Sequence, residues 1–407
     1  MILSIIVIVF ALGLAYMHWL QGAFTSAISF ACALAGVLIA FGYYENVVNM
    51  MGQNGMSDYA GPMAIVVLFS VTYIVLRVVA DSVVPGNISL NFYAEKGATV
   101  VFGLGAGILA AGTFGTAIQM MPLGVNVAGF TPYATETQRP VQLPAAIIGR
   151  QRGEDTFVVE ELTVDNPLPP ERAALLLPAD QYVLGLIKTA SAGAFSGSQK
   201  FADIHPDLPV EAFLNRVGPE SSNKHVILNT SKGNNVDVTG IYTVNGTPTT
   251  LDTEDGKIRK GPLPKPAAND LLMVLRAQFK DPAAEKDGVV RITPAAVRLV
   301  VGENTYYPIG TMEGVILAPN RLDDLLPIPL TRGTNSADFV YALPKSVAEK
   351  FVKPADPADG PRFVEIKMFG RVDLTDKTVT AWAASKSTGV IRKPTSPLGE
   401  KVIKKPA

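Results

Sequence analysis

Only one cysteine, Cys32, occurs in 407 residues, so the chain can form no internal disulfide. It sits in an apolar run, where a thiol serves as a small packing residue. Histidine is nearly as scarce, at three. No zinc knuckle, phosphate loop or nucleotide fingerprint is present. Excess charge is missing too: 35 Lys and Arg against 36 Asp and Glu leave −1, with no overall basic field to hold nucleic acid. The most telling shortage is local. Residues 1–123 carry six formal charges, Glu45, Asp58, Arg77, Asp81, Glu95 and Lys96, and none lies in the middle of an apolar run.

What fills that charge-poor stretch is hydrocarbon. Ile2–Leu20, Phe24–Tyr44, Pro62–Val79 and Gly97–Met121 each run apolar for about 18 residues or more, the length a helix needs to cross roughly 30 Å of lipid. A helix can do so because it satisfies its own backbone where water is absent. The first run is expected to stay as a helix rather than be removed as a leader. Met1-Ile2-Leu3-Ser4 has no basic residue, and Gly13-Leu14-Ala15 is a marginal cleavage site.

The first span ends at His18-Trp19-Leu20, with Trp19 placed for the membrane–water interface. Gln21-Gly22 is so short a connection that spans one and two must form an antiparallel hairpin. Ala27, Ala31 and Ala35, with Ile39 and Ala40 one turn further, read as a small-residue packing stripe on span two. Residues 45–61 read as a loop. In span four, Gly103 and Gly107 form a GxxxG followed by Gly112, a pattern for close helix packing or for homo-oligomer contact. Arg77 and Asp81, at i and i+4, read as a snorkelling interfacial charge pair. Lys96 and the neighbouring Arg77 place the loop between spans three and four in the cytoplasm, with both chain ends outside.

The hairpin WLQGAFTSAISFACALAGVLIAFGYYENV and the charged turn with its Gly-rich span, EKGATVVFGLGAG, are similar to the opening of the CvpA, or colicin V production, family. The resemblance covers about residues 1–122. It departs beside the hairpin glycine, where family members usually carry a basic residue and this chain has Gln21. It implies a multi-pass protein of the bacterial inner membrane linked to toxin production or export, with no catalytic residues to carry over.

Beyond the spans, residues 124–155 read as a linker and 156–252 as a small α/β region. Val236–Val244 is a strand there, followed by the hairpin signal Asn245-Gly246. His225–Thr230 reads as another strand, and Val210, Phe213, Leu214 and Val217 share one helix face. Residues 253–268 form a charged, Pro-rich linker. Residues 269–384 carry β-branched runs (LLMVLRAQF, GVVRITPAAVRLVVG, NTYYPIG, DFVYALP, RFVEIKMFG) with the rhythm of an antiparallel β-sandwich. In the last run Val364, Ile366 and Met368 define one core face. Residues 385–407 are too basic and polar to bury a core. The expected fold is thus four transmembrane α-helices followed by a soluble α+β region ending in that sandwich.

Chemistry is sparse. Asp203-Ile204-His205-Pro206-Asp207 is the best constellation, but it lacks enough ligands for a metal and reads as a surface turn. His225 reads as structural. Ser191, Ser196 and Ser198 have neither a GxSxG setting nor a base. The expectation is a non-enzymatic protein with no catalytic, cofactor or metal residues. It would sit among membrane lipids and hold protein partners of the envelope through an extracytoplasmic soluble module. An oligomeric channel or transporter built from the four helices is the alternative.

Overall fold

The computed structural model describes residues 2–53, 57–84, 91–121, 126–131, 151–153, 156–158, 173–192, 201–205, 208–216, 236–244, 249–251, 258–259, 270–281, 288–302, 304–320, 325–330, 335–352, 360–366 and 370–383. The chain forms two compact units. One joins 1–132 with 173–213, and the other joins 133–172 with 214–407. Residues 173–213, placed by the sequence reading in a separate α/β region, belong to the helical unit.

That unit begins with α1 (Ile2–Gln21) and α2 (Ala23–Gly42). Gly22 separates them at φ 92°, a left-handed backbone open to glycine without a Cβ penalty. Next come α3 (Tyr44–Gln53), α4 (Ser57–Val83) and α5 (Phe92–Met120). The side chain of Asn91 caps α5 by accepting from the Tyr93 amide at 3.2 Å. Four of these helices, α1, α2, α4 and α5, are long and apolar enough to cross a membrane, close to the expected bounds. Residues 45–61 differ from expectation. Most of that stretch is helical, in α3 and the start of α4, because Tyr44 and Val48 bury one face of α3 despite its Asn and Gly content.

Helix α5 is the hub, packing against α1, α2 and α4. On α2 the buried small residues include Ser26, Ser29, Cys32, Ala33, Gly36 and Ala40, while Ala27, Ala31 and Ala35 stand partly or fully open. Of the expected stripe Ala40 lies on the buried face, while Ala27, Ala31 and Ala35 miss it by about a third of a turn. Three further helices contribute to the unit: α6 (Ala179–Ala192), α7 (Phe201–Ile204) and α8 (Leu208–Arg216), the last through its residues up to Phe213. Leu3, Val7, Ala11, Ala111, Val127, Phe130, Leu175 and Ala179 form one apolar cluster that fixes the start of α6 to α1 and α5.

In the second unit, β1 (Gln151–Gly153) and β2 (Thr156–Val158) pair as a short antiparallel ribbon. The remaining strands are β3 (Val236–Thr243), β4 (Thr249–Leu251), β5 (Ile258–Arg259), β6 (Asp270–Phe279), β7 (Val289–Ile292), β8 (Val297–Val301), β9 (Asn304–Tyr306), β10 (Gly310–Glu313), β11 (Ile316–Pro319), β12 (Leu326–Pro329), β13 (Ser336–Pro344), β14 (Arg362–Ile366), β15 (Gly370–Asp373) and β16 (Val379–Ala381). The short helix α9 (Lys345–Val352) follows β13. An eight-stranded sheet runs β16-β3-β6-β13-β10-β11-β4-β5, a four-stranded one runs β15-β14-β8-β9, and β12 pairs with β7.

These sheets do not show a closed sandwich, and the large one is mixed. β16 lies parallel to β3 and β4 parallel to β11. The Asn245-Gly246 signal does not close a β3–β4 hairpin, since β3 pairs with β6 and β16 while β4 pairs with β11 and β5. Long-range pairing has overridden the local turn preference. Strands β6 and β13 pair over nine positions and bury both faces. Met273, Leu275, Ala277, Phe339 and Tyr341 enter one apolar cluster, while Leu272, Val274, Val340 and Ala342 enter another. On β14 both faces are covered as well, Arg362 to Ile366 all being buried. The expected polar face of that strand is an ion-pair layer, with Arg298 Nη2 at 2.9 Å and Arg371 Nη2 at 3.2 Å from the Glu365 carboxylate. The strand His225–Thr230 and the tail 385–407 lie outside the described residues.

Candidate functional site

The buried chemistry of the helical unit gathers where α2 passes into α3 and meets α7 and α8. Tyr44 and Glu45 open α3, Phe201 belongs to α7, His205 follows it, and Glu211 lies in the first turn of α8. His205 is 2% exposed. Its Nδ1 stands 2.5 Å from Glu211 Oε2 and its Nε2 stands 2.5 Å from Glu45 Oε1. The Glu211 side chain is 4% exposed and that of Glu45 is 25% exposed, so one carboxylate is enclosed and the other borders the surface.

Aromatic rings hold the imidazole in place. Tyr44 meets it edge-on at 5.5 Å between centroids, and Phe201 lies at 5.0 Å. Phe41 and Tyr44 in turn pack edge-on to Phe201 at 5.2 and 5.6 Å. Gly61 on α4 leaves room for the Tyr44 hydroxyl, which would stand 2.9 Å from any Cβ there.

Two carboxylates facing the two ring nitrogens dictate the protonation pattern. An imidazole that donates to both must carry both N–H protons and is then a cation. Remove one proton, and a lone pair faces a carboxylate, which must itself pick up a proton or withdraw. Because both nitrogens are occupied, the ring has none left to act as a base on a substrate. The carboxylates approach from opposite sides of the ring, so they share no apex with it. Among the described residues no group of three or more His, Cys, Asp or Glu could hold a metal ion. The arrangement is a clamp that fastens α7 and α8 to the α2–α3 corner through charge-assisted hydrogen bonds.

This differs from the sequence reading of His205 as a surface turn. The partners shown are at positions 45 and 211, and the side chains of Asp203 and Asp207 lie outside the described residues. Glu45 is 160 positions away from His205, and no spacing rule reaches that far. His225, Ser196 and Ser198 are also outside the described residues, and Ser191 lies in α6.

The glycines of α5 serve packing within the chain. A Cβ on Gly103 would lie 2.9 Å from His18 Cβ, one on Gly107 2.5 Å from the Ala11 carbonyl oxygen, and one on Gly112 2.2 Å from that of Ala179. Helix α1 thus occupies the Gly103/Gly107 face, and α6 crosses at Gly112. Beside that crossing Gln119 Nε2 donates to buried Asp180 at 3.1 Å. Arg77 and Asp81 do pair, at 3.0 Å.

Compared with known proteins, the chain matches no family model, no curated protein and no solved structure.

Proposed function

We propose that the chain is a non-catalytic protein of the bacterial inner membrane. Its four long helices anchor it, and its strand-rich region is an extracytoplasmic docking module for protein partners of the envelope. The resemblance to the colicin V production family points to toxin production or export, or to transport across the envelope, as the setting.

One observation carries the non-conducting part of this reading. The hydroxyls buried in α5 spend their hydrogen bonds on their own helix, and buried Gln119 bonds Asp180 at the crossing with α6. Thr99 donates to the Glu95 carbonyl at 2.7 Å, Thr113 to Leu109 at 2.8 Å and Thr116 to Gly112 at 2.9 Å. A conduit needs polar groups aimed into a shared path, and hydroxyls bonded back to the preceding turn are not so aimed.

A photo-crosslinking residue placed at exposed Val315 or Leu271 in the full-length protein, in its own membrane, tests the docking role. Discrete protein adducts are expected. Solute flux through reconstituted vesicles, abolished by a bulky residue at Gly107, would instead establish the channel alternative. Labelling a cysteine introduced at Ala407 from each side of the membrane tests the outward orientation.

A further inference from the structure

At the opposite end of the bundle from the clamp, two nitrogen atoms are enclosed without partners. Arg77, on α4, gives Nη2 to Asp81, but its Nη1 is buried and makes no hydrogen bond. His18, on α1, is 6% exposed and its Nδ1 is likewise unbonded. His18 sits in the groove that Gly103 opens on α5, and Arg77 lies within electrostatic reach of it. Trp19 and Lys96 mark the membrane boundary here, with Lys96 Nζ 4.4 Å from the centre of the indole ring. The Asp81 side chain is 58% exposed, so the carboxylate that partly occupies Arg77 is free to swing away.

We propose that Arg77 and His18 form a recognition site for a phosphate oxyanion, supplied by the headgroup of an anionic phospholipid. A guanidinium presents a planar fork of donors that matches phosphate geometry, and one arm of this fork is already unused. The tautomer of His18 that carries its proton on Nδ1 supplies a second donor. The 22% of the Arg77 side chain that remains exposed gives the headgroup its approach. Asp81 holds the place of the ligand: when phosphate arrives, the carboxylate releases Nη2 and the fork closes on two oxygens. The glycerol and acyl chains then lie along the apolar outer face of α4, where Ile74, Val75, Val78 and Val79 stand exposed. This rests on the four helices lying in a bilayer, which membrane fractionation tests separately.

The experiment is native mass spectrometry of the full-length protein from nanodiscs of phosphatidylcholine and phosphatidylglycerol. Wild-type protein retains phosphatidylglycerol preferentially. Arg77→Gln lowers that retention about tenfold, the scale of a charge-assisted hydrogen bond lost. Asp81→Asn raises it by freeing Nη2. The opposite signs separate a binding site from a structural pair, since loss of a structural pair would weaken both variants alike. Equal retention of the two lipids by wild-type protein overturns the proposal. So does unchanged retention in Arg77→Gln. Saturable binding of inorganic phosphate to delipidated protein, lost in Arg77→Gln, overturns the assignment to a lipid.

Discussion

On the helical unit Val67, Val71, Ile74, Val75 and Val78 stand exposed along α4, and Ile2, Ile5, Val9 and Leu12 along α1. On the strand-rich unit the only large apolar side chains so exposed, among the described residues, are Leu271 and Val315. The interiors share large side chains, Phe41, Tyr44 and Ile65 in the first unit and Phe279, Phe339 and Tyr341 in the second, but only the first sets small and hydroxylated residues such as Ala33, Gly36, Thr113 and Thr116 where its long helices meet. Where lipid surrounds a protein, leaving it gains an apolar side chain nothing, so helices are held by close approach and dispersion. Where water surrounds it, burying large apolar area is the main gain. The two halves of this chain should therefore fail in different ways.

The hardest break is to remove close approach. In Gly112→Val the new Cβ would meet the Ala179 carbonyl oxygen at 2.2 Å and its carbon at 2.6 Å. Both are backbone, so no rotamer change relieves the overlap. We expect destabilisation beyond about 4–5 kcal/mol, the exceptional tail of single substitutions. It would be seen as loss of monodisperse protein on size exclusion in detergent. Gly97→Val, at a site with nothing within 4 Å, is expected to behave as wild type.

The corresponding break in the strand-rich unit is electrostatic. Glu365 is buried between Arg298 and Arg371, and Glu365→Ala takes from two guanidinium groups, one of them enclosed, the carboxylate they share. A cost of about 3–5 kcal/mol is expected, measured as a lowered denaturant midpoint. Arg276 and Asp338 make a similar bidentate pair on neighbouring strands, at 2.7 and 2.9 Å. Burial alone would lower the Arg276 pKa, but the hydrogen bond and charge of Asp338 outweigh it and raise the value.

The clamp at His205 lies between these cases, being an ion cluster inside the apolar unit. His205→Leu removes the ring that bridges the Glu45 and Glu211 carboxylates. The expected loss is roughly 2–3 kcal/mol, below that of a fully enclosed pair because Glu45 borders the surface. It is read as a lowered Tm in detergent. Adding Glu211→Gln should restore part of it, since one repelling charge is then gone. A further fall in Tm would show that the ring packs without needing its charge.

How much of this was legible in advance follows the same division. The four spans could be located to within a few residues because lipid imposes a length and forbids charge, and both constraints are local. Helix α3 was hidden, since NVVNMMGQNG scores poorly for helix and only the burial of Tyr44 and Val48 favours it. The strands β6, β13 and β14 could be read from their β-branched runs, but not their neighbours. Pairing of β3 with β6 and of β4 with β11 is set by contacts distant in sequence. The alternation in Arg362–Ile366 suggested one buried face, because a carboxylate and two arginines that neutralise one another read as solvent-facing residues one at a time. His205 was visible as chemistry, and its partners were not.

The smallest effect sharpens the comparison from the strand-rich side. Tyr341 is fully buried on β13, and its hydroxyl donates to the Val297 carbonyl at 3.4 Å. Burial pushes the phenol pKa well above its ordinary 10.0. The folded state therefore favours the protonated phenol more strongly than the unfolded chain does. That preference is fully present below the unfolded pKa and is lost as pH rises from there toward the folded value. Tyr341→Phe keeps the ring and removes only a long hydrogen bond, so at about pH 8 its cost should be about 1 kcal/mol or less. At about pH 11 wild-type protein has begun to lose the phenol's contribution and the variant has nothing to lose, so the gap should narrow or change sign. Denaturant midpoints of both proteins at the two pH values decide it, and a gap that widens at high pH would mean that the phenol ionises inside the fold.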